Sequence, residues 1–384
     1  MPIKVCHIIT RLELGGAQQN TLYTVRHLSQ SMYTPFLITG TGGMLDSEAA
    51  MDTRFTTFFI PELVRSIFPW DDLIAAVKIW KILRTLKPSV VHTHSSKAGI
   101  LGRWAAWCAG VPVIIHTVHG FGFTDQQWPP VRIAFIMLER LTALITDKLV
   151  VVAAQDQKKG LAHRIGNEKK YIVIRSGIDI ETYKTTFVDR DAVKSELGIS
   201  SSAKVVTTIG PFKPQKNLSD FVRVASAITR VRSDCVFLVV GDGDQRGMLE
   251  EMSAQSGLCG RIHFLGWRND TVRILGITDV FVMTSLWEGL PRSIVEAMCR
   301  GVPVVANAVD GIREIVQTGI TGHLVEPYAV GEMTRMIIQI LDDPAGSQVM
   351  GEAGRRSIGR EFDINCMVEQ QENLYQSLLA SFEH

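Results

Sequence analysis

The chain has no charge surplus of either sign: 40 lysines and arginines stand against 39 aspartates and glutamates in 384 residues. That balance removes the electrostatic case for nucleic acid as the main partner. The six cysteines, Cys6, Cys108, Cys235, Cys259, Cys299 and Cys366, never take the Cys-x-x-Cys spacing of zinc or redox pairs. They read as small apolar residues of a reducing compartment. No apolar run approaches the roughly 18–20 residues that span a bilayer. The opening Met1-Pro2-Ile3-Lys4-Val5 heads into a strand without the charged, apolar and small-residue succession of a secretory leader. The expectation is a cytoplasmic protein, soluble or peripheral on the inner face of the cell membrane.

The length makes two domains the natural prior. Short β-branched runs alternate with longer amphipathic stretches throughout, the pattern of parallel strands joined by crossover helices, so the fold class is α/β. Strands are predicted over residues 4–9, 36–39, 90–94, 113–118 and 148–152, with helices such as 17–28 and 72–86 between them. A second series follows at 204–209, 236–240, 261–265, 280–284 and 302–306. The polar segment from Ser176 to Ser202 interrupts the periodicity. It divides the chain into a first domain, 1–175, and a second, 176–384, that includes the linker.

The first strand leads to Gly15-Gly16 at the start of a helix. Two glycines there let backbone N–H groups approach an anion, although a tight turn explains them equally well. The full Gly-x-Gly-x-x-Gly fingerprint and its acid about 20 residues on are missing, which disfavours a nicotinamide dinucleotide. In the second series, Gly210-Pro211-Phe212-Lys213-Pro214-Gln215-Lys216 leaves a strand where open α/β sheets bind ligands. Lys213 and Lys216 either neutralise a diphosphate or sit in a solvated turn.

The most informative stretch is Trp287-Glu288-Gly289-Leu290-Pro291-Arg292-Ser293-Ile294-Val295-Glu296. Pro291 suits a helix start. Glu288 then lies in the loop before that helix and Glu296 more than a turn inside it, so both acids can border one pocket. Carboxylates there suit sugar and ribose hydroxyls, and the Gly289 and Leu290 backbones offer donors. Four histidines, His92, His94, His116 and His119, end two neighbouring strands. His92 and His94, at i and i+2, share a face, but the convergence that zinc requires is not evident. His119, before Gly120-Phe121-Gly122, is the better candidate for substrate contact.

These residues resemble the retaining GT-B glycosyltransferases of family 4. The Glu288-x7-Glu296 spacing around Gly-Leu-Pro is similar to that family's signature, and Gly15-Gly16, Lys216, Gly241-Asp242-Gly243, Phe264-Leu265-Gly266 and Gly301-Val302-Pro303 fall where its pattern has them. The resemblance implies two Rossmann-like domains facing across a cleft, with the last helix, about 364–384, packing back on the N-terminal domain. It implies a nucleotide diphosphate sugar, UDP- or GDP-linked, as donor, with no cofactor and no bound metal. Glu296 would hold the ribose, and Lys216 the diphosphate, helped by Gly210 and Lys213. Glu288, Gly289 and Leu290 would contact the sugar and phosphate, and Gly15-Gly16 would close over the diphosphate. His119 would touch the transferring sugar, so His119, Glu288 and Lys216 are the expected catalytic residues. His94, Lys97 and Phe121 are the expected acceptor contacts, with a glycan or lipid-linked molecule as acceptor. Pro211 stands where the family usually has arginine, and Lys213, a point charge, does not reproduce a guanidinium fork.

Lys78, Lys81, Arg84 and Lys87 recur along one helical segment with Trp80, and Trp104 and Trp107 follow. Such a surface can dock on anionic lipid, although a solvated charged face with core tryptophans would look the same. Two other functions fit the architecture: a nucleotide-sugar 2-epimerase, which needs no acceptor, and an inactive nucleotide-sugar binding protein.

Overall fold

The computed structural model describes residues 2–124 and 126–381. It divides into two units, Met1–Gly177 with Ile364–His384, and Ile178–Asp363. The first is built on seven strands: β1 (Ile3–Ile9), β2 (Tyr33–Thr39), β3 (Thr56–Phe59), β4 (Val90–His94), β5 (Val113–Val118), β6 (Lys148–Val151) and β7 (Tyr171–Val173). They form one parallel sheet in the order β3-β2-β1-β4-β5-β6-β7. The second unit holds β8 (Lys204–Ile209), β9 (Cys235–Val240), β10 (Ile262–Gly266), β11 (Val280–Met283), β12 (Val304–Asn307) and β13 (Gly322–Val325), ordered β10-β9-β8-β11-β12-β13. Both are Rossmann-like. In each, the strand order reverses beside the first strand, at β1/β4 and β8/β11, and the crevice outside such a reversal is where open α/β sheets take ligands.

Parallel strands bury both faces, which is why these runs are continuous in Val, Ile and Leu. In the second unit Val206, Phe237, Val282 and Val305 meet Phe221, Val224, Ile228 and Ile337 from the covering helices. In the first, the last helix, Ile364–Ala380, supplies much of one layer. Its Met367, Val368, Leu374 and Tyr375 pack with Val5, Leu28, Val90, Val113 and Ile115. The helix Ser96–Ala109 lies close on the other layer because Gly99 leaves room: a Cβ there would be 2.5 Å from His116 Cε1.

The same helix buries a charge. Arg103 is fully covered and donates to Gly99 O at 2.7 Å, Thr146 Oγ1 at 3.3 Å and Glu139 Oε2 at 2.8 Å. The pair ties this helix to Pro129–Leu144. Arg103→Met leaves Glu139 buried without its partner and is expected to cost about 3–5 kcal/mol. Urea denaturation of the variant checks this, and adding Glu139→Met should recover most of the loss.

Candidate active site

In the second unit two strand-end loops are stitched together. Beyond β8, Gly210 is approached by Gly241, whose φ of +127° and closeness admit no side chain: a Cβ on Gly241 would lie 2.0 Å from Gly210 O. A short 3-10 turn, Pro214–Lys216, follows and ends at Asn217 in the left-handed region. Lys216 Nζ pairs with Glu288 Oε1 from the loop after β11. Around that pair, Gln215 Nε2 donates to Trp287 O at 2.7 Å, Leu286 N to Gln215 O at 2.8 Å and Thr284 Oγ1 to Lys216 O at 2.8 Å. Asp310 Oδ2 accepts from the Glu288 N–H at 2.9 Å. Asp310 itself sits at a φ of +34°, which costs a non-glycine residue energy that its hydrogen bond offsets.

The helix Arg292–Cys299 begins directly after Pro291, which is its N-cap. Glu296 is buried one turn in, 3.7 Å from Arg292 Nη2. Burial pushes its carboxyl above the usual range, while Arg292 and a hydrogen bond with Tyr183 pull it back. Tyr183 also meets Thr271 Oγ1 at 2.7 Å. Among the described residues, no hydrogen bond takes up the N–H groups of Gly289 and Leu290. The arrangement places an ammonium, two carboxylates and two backbone donors at the strand ends of one sheet. It can bind a molecule that carries both anionic oxygens and hydroxyls.

In the first unit, Gly15 caps the helix Gly16–His27, whose first turn contains no acid. Beside it the imidazoles of His7, His92, His94 and His119 join in a chain. His7 Nδ1 lies 3.0 Å from His94 Nε2, and His94 Nδ1 lies 3.3 Å from His119 Nε2. His92 Nδ1 and Nε2 reach Tyr375 Oη and Thr117 Oγ1, both at 2.6 Å. His94 and His119 line a small pocket with Asn20, Thr21, Arg175 and Gln371. Burial lowers the ordinary value of His7 to about 3 and that of His119 to about 4, so the rings are neutral.

The expected site residues therefore gather in two groups, Lys216 with Glu288 in the second unit and His94 with His119 in the first. Gly210 approaches Lys216, Gly289 and Leu290 follow Glu288 in its loop, and Glu296 lies one turn into the helix that this loop enters. Lys213 is half-buried in the loop that leads to Lys216. Two expected acceptor contacts are otherwise engaged. Lys97 Nζ is held by Asp72 and the Ser66 carbonyl. Phe121 is turned into an apolar cluster against Phe123, because a ring at a strand end gains more from burial than from water.

Sequence reasoning missed His7, hidden in an apolar strand, and Asp310. It also passed over the Asp-x-Asp at Asp242-Gly243-Asp244. There Asp242 accepts from Arg246 Nη1 and the Gly243 N–H, both at 2.8 Å. His7, His92 and His94 have ligand atoms within 4.8 Å of one another, close enough for a metal ion. A metal would displace the bonds His92 makes to Tyr375 and Thr117 and the one joining His7 to His94.

Two family models match the chain: "Glycosyltransferase Family 4" over residues 14–182 and "Glycosyl transferases group 1" over 189–357. The UDP-Gal:alpha-D-GlcNAc-diphosphoundecaprenol alpha-1,3-galactosyltransferase of Escherichia coli is 32% identical over 382 residues, 99% of this chain and 98% of its own. The chain belongs to the GT-B glycosyltransferases of family 4. A second member, the N-acetyl-alpha-D-glucosaminyl L-malate synthase of Bacillus anthracis, is 28% identical over 81% of both chains. In fold, this glycosyltransferase resembles the Anabaena protein Alr3699/HepE in complex with UDP-glucose. That match has a TM-score of 0.83, 20% identity and coverage of 98% and 100% of the two chains. As a family member the protein is a glycosyltransferase that uses a nucleotide sugar.

The neutral histidines make stability depend on pH. His7 takes a proton near 6.5 when unfolded but only near 3 when folded. Its contribution is complete above 6.5 and is lost as pH falls, by up to about 1.4 kcal/mol per pH unit. The urea midpoint is expected to drop between pH 7.5 and 5.5, with a shallower drop in His7→Gln.

Proposed function

We propose that this glycosyltransferase moves a hexose from a UDP-linked donor, with retention of configuration, to a hydroxyl of a lipid-linked diphosphate sugar at the inner face of the membrane. The observation that carries the donor half is the Lys216–Glu288 pair with the backbone donors of Gly289 and Leu290, on the loop that leads into the helix carrying buried Glu296. Breaking the anomeric bond puts charge on the departing diphosphate, and preorganised cations and N–H groups lower that cost. In this reading Lys216, aided by Lys213, neutralises the diphosphate, and Glu296 accepts the ribose hydroxyls. Gly210 lets the phosphates approach, and in the first unit His119 contacts a substrate hydroxyl. The leaving phosphate takes the acceptor's proton on the same face, so no protein nucleophile is needed. The Escherichia coli relative's UDP-galactose and diphosphoundecaprenol support the donor base and the acceptor class.

Membrane contact rests on the first unit's surface. Among the described residues no helix is long and apolar enough to cross a membrane. The helix Pro129–Leu144 nevertheless exposes Ile133, Met137, Leu141 and Leu144, beside Trp128 at 71% exposure. Nearby, Pro69–Leu86 exposes Trp70, Leu73 and Trp80. The Trp80 Nε1 bond to Cys108 O at 3.4 Å and the Trp104 Nε1 bond to Thr142 Oγ1 at 3.1 Å tie these helices to Ser96–Ala109 between them. Lys78 is paired with Glu62, while Lys81, Arg84 and Lys87 stand on the same helix or at its end. Apolar rings and bulky aliphatics beside cations fit an anionic bilayer.

A thermal-shift screen against UDP, GDP, ADP and their sugar conjugates tests the donor. At 100 times its dissociation constant the right nucleotide adds about 2.7 kcal/mol. A shift confined to the uridine series is expected; a guanosine-only shift or none in folded protein would refute the assignment. With the donor known, UDP release should require an acceptor alcohol, and Lys216→Met should lower kcat/KM about 100-fold. For the membrane, flotation with phosphatidylglycerol vesicles at low salt should carry the protein upward. Ile133→Glu with Leu141→Glu should abolish that, and a wild type left at the bottom of the gradient would sink the idea.

A further inference from the structure

The histidine chain of the first unit continues past the residues already discussed, and its far end decides its near end. His7 Nε2 lies 3.4 Å from Tyr375 Oη. That phenol also lies 2.6 Å from His92 Nδ1 and 3.3 Å from Gln371 Oε1. Each neutral imidazole carries one N–H, so each link of the chain passes its polarity to the next. The phenol has one hydrogen for three neighbours.

If that hydrogen goes to His92 Nδ1, the closest neighbour, His92 donates from Nε2 to Thr117. If it goes to the Gln371 carbonyl, His92 donates from Nδ1 to the phenol oxygen. In both arrangements the phenol oxygen is left to accept from His7 Nε2–H. His7 Nδ1 is then bare and accepts from His94 Nε2–H. His94 Nδ1 is bare in turn and accepts from His119 Nε2–H. Only a phenol hydrogen aimed at His7, its most distant neighbour at 3.4 Å, reverses the series.

The geometry points to Tyr375, His7 and His94 as positioning residues that hold His119 in its Nε2–H tautomer, leaving Nδ1 bare to accept a hydrogen bond from a substrate hydroxyl. The substrate role of His119 rests on the function proposed above; the tautomer does not. Burial supports the arrangement, since every ring in the chain is kept neutral. A charged imidazole would donate from both nitrogens and break the series. The second nitrogen of a histidine is commonly fixed by what the first one bonds. Here three further residues extend that control to a tyrosine 256 positions away in the chain.

The test is a long-range proton–nitrogen correlation spectrum of the full chain with ring-15N histidine, His119 being assigned by its loss in His119→Asn. The expected spectrum shows His119 Nδ1 in the unprotonated range and Nε2 in the protonated range as a single species. Tyr375→Phe removes the anchor and should mix the two His119 tautomers. It should also lower kcat about fivefold to tenfold while UDP affinity stays unchanged. Asn365→Ala, on the same helix and bonded to Tyr23 instead, should leave the His119 signals where they are, separating relay from packing. A wild-type His119 protonated on Nδ1 would overturn the proposal, and so would His119 signals unmoved in Tyr375→Phe. One zinc per purified chain with His7, His92 and His94 shifted together would also overturn it. The wild-type spectrum decides even if Tyr375→Phe does not fold. The tautomer found without any sugar transfer would refute the function proposed above and leave the relay standing.

Discussion

A parallel sheet covered on both faces has no water to offer the side chains of its central strands, so any polar group placed there has to be satisfied by protein. This requirement organises the first unit. His7 and His92, on β1 and β4, are fully buried. Their ring nitrogens are met by one another's neighbours, by Thr117, and by a tyrosine carried on the last helix. An aliphatic core at these positions would be simpler and at least as stable. What the imidazoles add is direction: a row of bonds whose polarity ends at His119, the least buried of the series.

The second unit has the same reversal of strand order but satisfies a different demand. Its polar groups sit just past the strand ends, where they are largely buried, and they are matched by charge: Lys216 with Glu288, Arg292 with Glu296. A ligand with its own anionic oxygens can compete for Lys216. A ligand with hydroxyls can donate to the carboxylates. Asp310 holds the Glu288 backbone from outside the pair, so the loop keeps its shape while the side-chain bond is exchanged.

Much of this was legible in the sequence. Strands 90–94, 113–118 and 204–209 were read to the residue, because a β-branched run ends abruptly at a polar or glycine-rich turn. β3, β7 and β13 were not, being edge or near-edge strands of three or four residues whose pattern is too short to stand out. The Glu288-x7-Glu296 spacing carried the second unit's site because loop and helix are contiguous in the chain. The first unit's site was harder. His7 lies inside Val5-Cys6-His7-Ile8-Ile9 and looks like one polar interruption of a core strand. Its partners come from positions 94 and 375, and no spacing rule joins them. Phe121 follows His119 closely in the sequence, and its ring packs in an apolar cluster with Phe123.

The return of the last helix has a consequence for how the molecule is made. The chain leaves the first unit at Gly177, forms the whole of the second, and re-enters the first at Ile364. Strands β1 to β7 are therefore synthesised long before Met367, Val368, Leu374 and Tyr375 exist to cover them. While some 186 residues of the second unit are translated, one face of that sheet lacks part of its apolar cover, and His92 lacks the phenol that meets it. The second unit has no such wait, since all its elements are consecutive. The order of translation is then inverted in folding: the unit made later can be completed first, and the nascent N-terminal sheet is the species that chaperones would be asked to shield.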